Sequence, residues 1–373
     1  MADAGVMKRV YVSILCGSIV LAVFALPHLA AAQEHTWSLK AGQEVDTNPL
    51  RVVGDGSPTD TATRLLGTWS LRHRIGASGV GVWGATIGGR LLLETRAETA
   101  VVSQLRHSER FRVHPAWSVG WAVDGKDRTE QDGFRDYRRG GLSMDVIRAI
   151  GLLDLSMQAS WQAFQFKPNP SLSWHGPQGA ISFDVYATDW LTVQGRQSAG
   201  VRFVGEDALE ETDDGVVALE GVSREDVLVS SSVRVNLAWS VVLLDLGGNL
   251  VWNRSNTFGR EYRRQVVDAQ LTLNPTGNLF ARVAGQLQRT TFPDTAFVDD
   301  SFALDDENRN QLSISLENPI GHESVTVELR STWWADAFTG DETDRYMRWV
   351  GYLGVAWRGR AEGRGTGRSE GSP

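Results

Sequence analysis

Residues 227–239 read VLVSSSVRVNLAW, and this stretch decides the fold because apolar and polar side chains alternate along it. One series of alternate positions is apolar: Val227, Val229, Val233, Val235, Leu237 and Trp239. The other series is polar: Ser230, Ser232, Arg234 and Asn236. Successive side chains of a strand point to opposite faces, so the stretch predicts a strand with one apolar and one polar face.

The same alternation recurs along the chain from Trp37 to Trp357, for example in residues 152–163 and 312–317. It predicts an all-β chain of about sixteen strands. We place them at 36–46, 62–75, 82–94, 99–111, 117–125, 136–148, 152–166, 179–187, 190–204, 226–239, 241–253, 262–273, 279–291, 309–317, 323–334 and 345–358.

The connections between these strands form a second pattern. They are short after the even-numbered strands and long and polar after most odd-numbered ones, with the 95–98 connection as a short exception. The long connections are 47–61, 126–135, 167–178, 205–225, 254–261, 292–308 and 335–344. Short turns at one end and long loops at the other are typical of an antiparallel up-and-down barrel that spans a membrane.

Alternation alone also fits a soluble β-sandwich or a lipid-binding periplasmic barrel. A sixteen-stranded barrel with its apolar face inward would leave a lumen too wide for side chains to fill, which favours the transmembrane arrangement. Tryptophans near strand ends favour it too, because aromatic girdles lie at membrane interfaces. This predicted girdle comprises Trp117, Trp190, Trp239, Trp252, Trp333, Trp349 and Trp357.

The first residues predict export. Lys8 and Arg9 precede an apolar run, and three alanines at 30–32 fit a cleavage site, so 1–32 is predicted to be a signal peptide. The alternative is an N-terminal membrane anchor, for which the run is short. Residues 33–358 then form the barrel and 359–373 a disordered Gly/Arg/Ser tail. The one cysteine, Cys16, would leave with the signal peptide.

In a membrane barrel the apolar series faces lipid and the polar series faces the lumen. The predicted lumen-lining charges are Lys40, Glu44, Arg72, Asp154, Arg196, Arg202, Arg234, Asp268, Arg282, Glu328 and Arg330. Both signs occur, so we expect neither strong anion nor strong cation selectivity. Gln197 falls on the lipid series, which suggests a bulge or an error of register.

No catalytic pattern stands out, and we predict that the chain is not an enzyme and needs no cofactor. Ser103 and His107 share one strand face, but such a pair is expected by chance among this many serines. The net charge of −8 argues against nucleic acid as a partner.

Two acidic segments, 205–226 and 292–309, offer a weak candidate for a divalent cation, with Asp299, Asp300, Asp305 and Asp306 the most clustered carboxylates. A solvated loop is the favoured reading. Arginines and a tyrosine in 135–139 and in 260–264 could bind lipopolysaccharide phosphates or simply anchor the interface.

The alternating strands and the loop asymmetry resemble the bacterial outer-membrane β-barrel family over essentially the whole mature chain. Residues 42–50 look like the first strand and loop of barrels that move surface lipoproteins or secreted polysaccharides, and residues 352–357 resemble part of a barrel assembly signal. The resemblance implies an outer-membrane location in contact with lipid and lipopolysaccharide. It also implies the barrel assembly machinery as a partner, and a separate periplasmic protein for any export step.

These observations predict a conduit for a polar solute or polymer, with secreted polysaccharide the favoured cargo. A non-conducting structural or adhesive barrel and a small-nutrient porin are the alternatives.

Overall fold

The computed structural model describes residues 33–49, 58–95, 99–213, 215–293, 310–337 and 345–362. The predicted signal peptide, most of the 292–309 segment and the end of the predicted tail lie outside these residues. Within them, no helix is both long and apolar enough to cross a membrane.

Sixteen antiparallel strands close into one barrel, in which each strand pairs with its sequence neighbours and the first strand pairs with the last. Strands β1 to β8 are Gln33–Asp46, Asp60–Ile75, Gly79–Leu92, Ala100–His114, Trp117–Glu130, Tyr137–Ile150, Leu153–Phe166 and Trp174–Thr188. Strands β9 to β16 are Leu191–Thr212, Gly215–Ala238, Val242–Ser255, Tyr262–Leu273, Phe280–Thr291, Asn310–Ile320, His322–Ala337 and Arg345–Glu362. The predicted all-β, up-and-down barrel of sixteen strands is confirmed.

The two ends of the barrel differ as the sequence predicted. Connections after even-numbered strands are short, and glycines such as Gly151 (φ 61°) and Gly321 (φ 66°) supply the left-handed backbone that tight turns need. We call this the turn end. The opposite, loop end carries the longer connections, including a short 3₁₀ helix at Pro170–Leu172.

One predicted loop is wrong. Residues 205–225 do not form a polar loop, because β9 and β10 continue into them as a β-hairpin beyond the other strands. The turn is closed by Thr212, whose hydroxyl donates to the carbonyl of Gly215 at 2.7 Å. The high acid content suggested a loop, but Val216, Val217 and Val222 favour extended backbone. We call residues 207–223 the acidic hairpin.

Several strand boundaries also differ from the prediction. Strand β5 continues to Glu130 rather than 125. Strand β8 begins at Trp174 rather than 179, because Asn169 and Pro170 start the 3₁₀ helix that ends the preceding loop early. Strand β16 continues to Glu362, beyond the predicted barrel boundary at 358, because it pairs with β1 as far as Glu34.

The seam between β1 and β16 is closed by a tyrosine lying over glycines. Gly42 and Gly354 stand opposite each other across the seam. A Cβ at either position would overlap the Tyr352 side chain, which is only 5% exposed. The two glycines therefore make room for this ring inside the barrel.

Candidate functional site: the lumen wall

The polar series of side chains faces the barrel interior. A recess of about 610 Å³ at the loop end is lined from β14 and β15 round to β5, by residues such as Gln311, Arg330, Glu44, Arg64 and Arg128. Large apolar side chains lie on the other face and are widely exposed there, for example Met157 (59%), Val267 (61%) and Leu287 (68%). The outside is apolar and the inside is polar, which suits a membrane barrel and not a soluble one.

All eleven charged residues predicted for the lumen belong to the inward series, as the strand registers show. The structure brings several of them together. Lys40 and Arg330 both approach Glu328, at 2.9 and 3.7 Å, and Arg234 pairs with Asp268 at 3.1 Å.

The other members of the set lie apart from these pairs. Arg196 donates to Gln158 at 2.6 Å, and the Arg202 guanidinium lies 4.3 Å from the Trp174 ring centre. Asp154 lies near Tyr186. Arg72 and Arg282 make no hydrogen bond or ion pair with another described residue.

A buried network of acids and arginines occupies the loop end of the β1 wall. Glu44, 2% exposed, accepts from Arg64 at 3.1 Å and from Arg90 at 2.6 Å. Asp46, fully buried, accepts from Arg90 and from Nε of Arg348 at 3.0 Å. Buried carboxylates need such partners, because an unpaired buried charge is very costly. The network therefore fixes three arginines against the wall.

Only Glu44 of this network was predicted from the sequence. The alternation along the predicted strands could also have placed Asp46 and Arg64 in the lumen, because Asp46 shares a face of its strand with Glu44, and Arg64 with Arg72. Arg90 lies where the alternation is least regular, directly after the glycines at 88 and 89. No local signal links Arg348 to Asp46, which is 302 positions away.

The seven predicted girdle tryptophans lie near the two ends of the barrel. Trp117, Trp190, Trp239 and Trp357 lie towards the turn end, where Trp190 and Trp239 stack with ring centres 6.2 Å apart. Trp252, Trp333 and Trp349 lie towards the loop end, where Trp333 stands directly opposite Trp349.

The outer face also carries a polar cluster around His107. Its ring stacks on Trp83 with centres 3.9 Å apart, and Nε2 lies 3.2 Å from Glu109. Glu109 accepts from the indole N–H of Trp121 at 3.1 Å. Two tryptophans therefore flank the polar atoms. Ser103 is four positions along the same strand, about 13 Å away at strand rise, and Glu109 is the partner of His107 instead.

Gln197 faces outward without a bulge or an error of register. The β9–β10 pairing is regular from Leu191 to Phe203, and Gln197 stands opposite Ser231. The serine hydroxyl donates to the Gln197 side chain. The two polar groups thus satisfy each other on the apolar face.

The base of the acidic hairpin is pinned by Arg224, which binds Glu206 and lies 2.7 Å from Asp226. Beyond this base both faces of the hairpin are largely exposed. No group of three or more potential metal ligands occurs among the described residues. The candidate carboxylates Asp299, Asp300, Asp305 and Asp306 lie outside them.

The arginines predicted at the loop-end rim divide between the two faces. Arg138 and Arg263 face outward, where Arg138 binds Asp127 at 2.7 Å and Arg263 lies 5.1 Å from the Trp252 ring centre. Arg139 and Arg264 face inward, where Arg139 donates to Gln162 at 3.2 Å. Arg254 joins Arg263 on the outer face, at 4.8 Å from the same Trp252 ring.

No protein-family model matches the sequence, and no curated protein matches it. Solved structures match most of the chain at low identity. A bacterial polysaccharide outer membrane secretin is 9% identical over 89% of this chain and 99% of its own, with a TM-score of 0.41. The outer-membrane OmpT of Vibrio cholerae is 7% identical over 89% and 99%, with a TM-score of 0.45. The Pseudomonas putida toluene transporter TodX is 8% identical over 90% and 91%, with a TM-score of 0.39. The assignment as a barrel rests on the strand pairing of this chain itself.

Proposed function

We propose that this protein is an outer-membrane barrel that conducts a polar solute or polymer, with secreted polysaccharide as the favoured cargo. The turn end would face the periplasm and the loop end the outside, the usual arrangement of such barrels. Lipid and lipopolysaccharide would surround the apolar face. The barrel assembly machinery would insert it, and a separate periplasmic protein would deliver a polymer.

The observation that carries the proposal is the polar inner face of a sixteen-stranded barrel. Barrels of this size leave an aqueous lumen, because side chains cannot span it. The described strands pack mainly against their two neighbours, so these strands do not pack across the centre. An apolar cargo would gain nothing from a wall of serine, glutamine and arginine.

A sugar polymer suits the chemistry of this wall. Inward glutamines can bind hydroxyls, and one such pair, Gln162 and Gln178, already joins β7 to β8 at 3.1 Å. Inward Phe164 and Trp174 stack with ring centres 5.9 Å apart at the loop end of the same wall. Aromatic faces and neutral hydrogen-bonding groups can contact sugars without holding them tightly.

The direct test is the single-channel conductance of refolded residues 33–373 in a planar bilayer. We expect steps of steady, ohmic conductance that a soluble sugar polymer reduces from one side. A barrel that never conducts, even after shortening of the acidic hairpin and removal of residues 294–309, would overturn the proposal.

The acidic hairpin supports a second candidate, a non-conducting adhesive or structural barrel that binds a surface partner. The hairpin presents Val216, Val217 and Val222 at 36%, 44% and 45% exposure, more apolar surface than a solvated tip needs. Shortening it should abolish surface binding on this view and leave or raise conductance on the first. A small-nutrient porin would differ from both, since its knockout would change nutrient uptake and not surface polymer.

A further inference from the structure

Six arginines gather at the turn end of the lumen and line one recess of about 930 Å³. Strands β2 and β4 supply five of them and β9 the sixth: Arg72, Arg74, Arg106, Arg110, Arg112 and Arg196. Serines of β4 to β7 complete the lining, among them Ser108 and Ser156. We call this the arginine recess.

Few acids balance these charges. Asp145 lines the recess and pairs with Arg110 at 2.9 Å. Glu109 also borders it, but its carboxylate is bound to His107 and Trp121 on the outer face. Asp124 stands opposite Arg106 in the register, and no ion pair joins the two. The recess therefore carries a clear excess of positive charge, within a chain whose net charge is −8.

Four of the arginines have no partner among the residues that the structure describes. Arg72, Arg74, Arg106 and Arg112 form no hydrogen bond or ion pair with a described group, and all four are exposed to the lumen. Their guanidinium donors are therefore available to a solute.

The loop end of the same wall differs. There, Arg64, Arg90 and Arg348 are bound to Glu44 and Asp46, as described above. Along this wall, the arginines without a described partner therefore lie towards the turn end, whereas Arg64, Arg90 and Arg348 at the loop end are bound. A solute entering from the turn end meets the arginines without a described partner first.

We propose that the arginine recess binds carboxylate, sulfate or phosphate groups, so that the barrel takes an anionic solute or polymer. The planar guanidinium fork matches the oxygens of these groups, and several forks in one recess favour a ligand that repeats its charge. This inference deepens the proposed conduit by naming the charge of its cargo, but binding in the recess can be measured without conduction.

The test is titration calorimetry on the refolded, detergent-solubilised barrel with two probes, tripolyphosphate and a polygalacturonate oligomer, and with neutral dextran as a reference. We expect the wild type to bind both anions and not dextran, with affinity falling as salt rises. Replacing Arg72, Arg74, Arg106 and Arg112 by glutamine should weaken binding at least about tenfold, since each charge-assisted hydrogen bond is worth that much or more.

The matched control is Arg282→Gln, which removes one inward arginine without a described partner from β13, outside the recess. Its binding should equal that of the wild type. Equal binding by the quadruple variant, or no anion binding by a wild type that conducts, would overturn the anion site and leave the conduit standing. Anion binding by a barrel that never conducts would support the site and refute the conduit.

The same variants give a second readout in bilayers. In a potassium chloride gradient the wild-type reversal potential should show preference for chloride, and the quadruple variant should lose it. An unchanged reversal potential in the quadruple variant would contradict the proposal. Arg282→Gln serves again as the control, because it removes an inward arginine that lies outside the recess.

Discussion

The ammonium of Lys40 lies 2.9 Å from the carboxylate of Glu328, although the two residues belong to β1 and β15 with β16 between them. At this point β16 has Gly354 and Ala356 on its inner face. Because these residues have little or no side chain, the side chains of Lys40 and Glu328 can meet across β16. Next to this contact, Tyr352 lies over the paired glycines of the β1–β16 seam. The Lys40–Glu328 ion pair and the Tyr352 ring therefore stabilise the seam where the first strand of the chain, β1, meets the last, β16.

A bulky residue at the seam should weaken closure. Gly354→Val would push against Tyr352, and such overpacking typically costs about 1 to 3 kcal/mol. We expect the urea concentration at the midpoint of unfolding to fall. Unfolding is measured by the tryptophan fluorescence of the barrel in lipid vesicles. Gly125→Val is the matched control, because a Cβ at Gly125 meets nothing within 4 Å. Equal midpoints for the two variants would show that the Tyr352 ring can be accommodated without a glycine at 354.

Removing one buried carboxylate should destabilise the loop end. Asp46→Asn takes the negative charge from Arg90 and Arg348, and breaking a buried ion pair costs about 3 to 5 kcal/mol. Asp268→Asn breaks the pair with Arg234, in which both side chains are partly exposed, and should cost no more than about 1 kcal/mol. The free energy of unfolding in urea measures both. A loss for Asp46→Asn no larger than the control's would mean that the network contributes little.

The architecture was predictable from the sequence because strand periodicity is a local property. The alternation in 227–239 and its repeats give the number and order of the strands, and the glycines of the short turns mark one end. The acidic hairpin was not predicted, because a high density of carboxylates in 205–225 outweighed the valines that extend the strands there.

The arrangement of charges in the lumen could not be predicted, since it depends on register. Sequence parity places Arg72 and Arg106 on the inner face. Their proximity follows only from the pairing that sets Arg72 opposite Val82 and Val82 opposite Ser108. A shift of two residues would keep every face and change every neighbour. The separation, along this wall, of bound arginines from those without a described partner is therefore a property of the folded barrel.

The arginines around Trp252 should bind lipopolysaccharide. Arg254 and Arg263 flank this ring on the outer face, and a guanidinium fork there can bind phosphate. We expect Arg254→Gln combined with Arg263→Gln to reduce the lipopolysaccharide retained by the purified barrel several-fold, measured as bound phosphate. Arg264→Gln removes a neighbouring charge from the inner face and should retain the wild-type amount. Equal retention by the double variant would indicate that the two arginines only anchor the interface.

The acidic hairpin should be dispensable for the stability of the barrel, whereas its base should not. Leu209 stands opposite Ala218, so residues 210–217 can be replaced by an Asn-Gly turn that keeps this pairing. Because residues 210–213 and 215–217 are exposed, we expect the free energy of unfolding to change by no more than about 0.5 kcal/mol. Arg224→Ala, by contrast, leaves Asp226 buried without its partner and should cost about 3 kcal/mol or more. If the shortened hairpin destabilised the barrel as much as Arg224→Ala does, the hairpin would be part of the folded core and not a separable surface element.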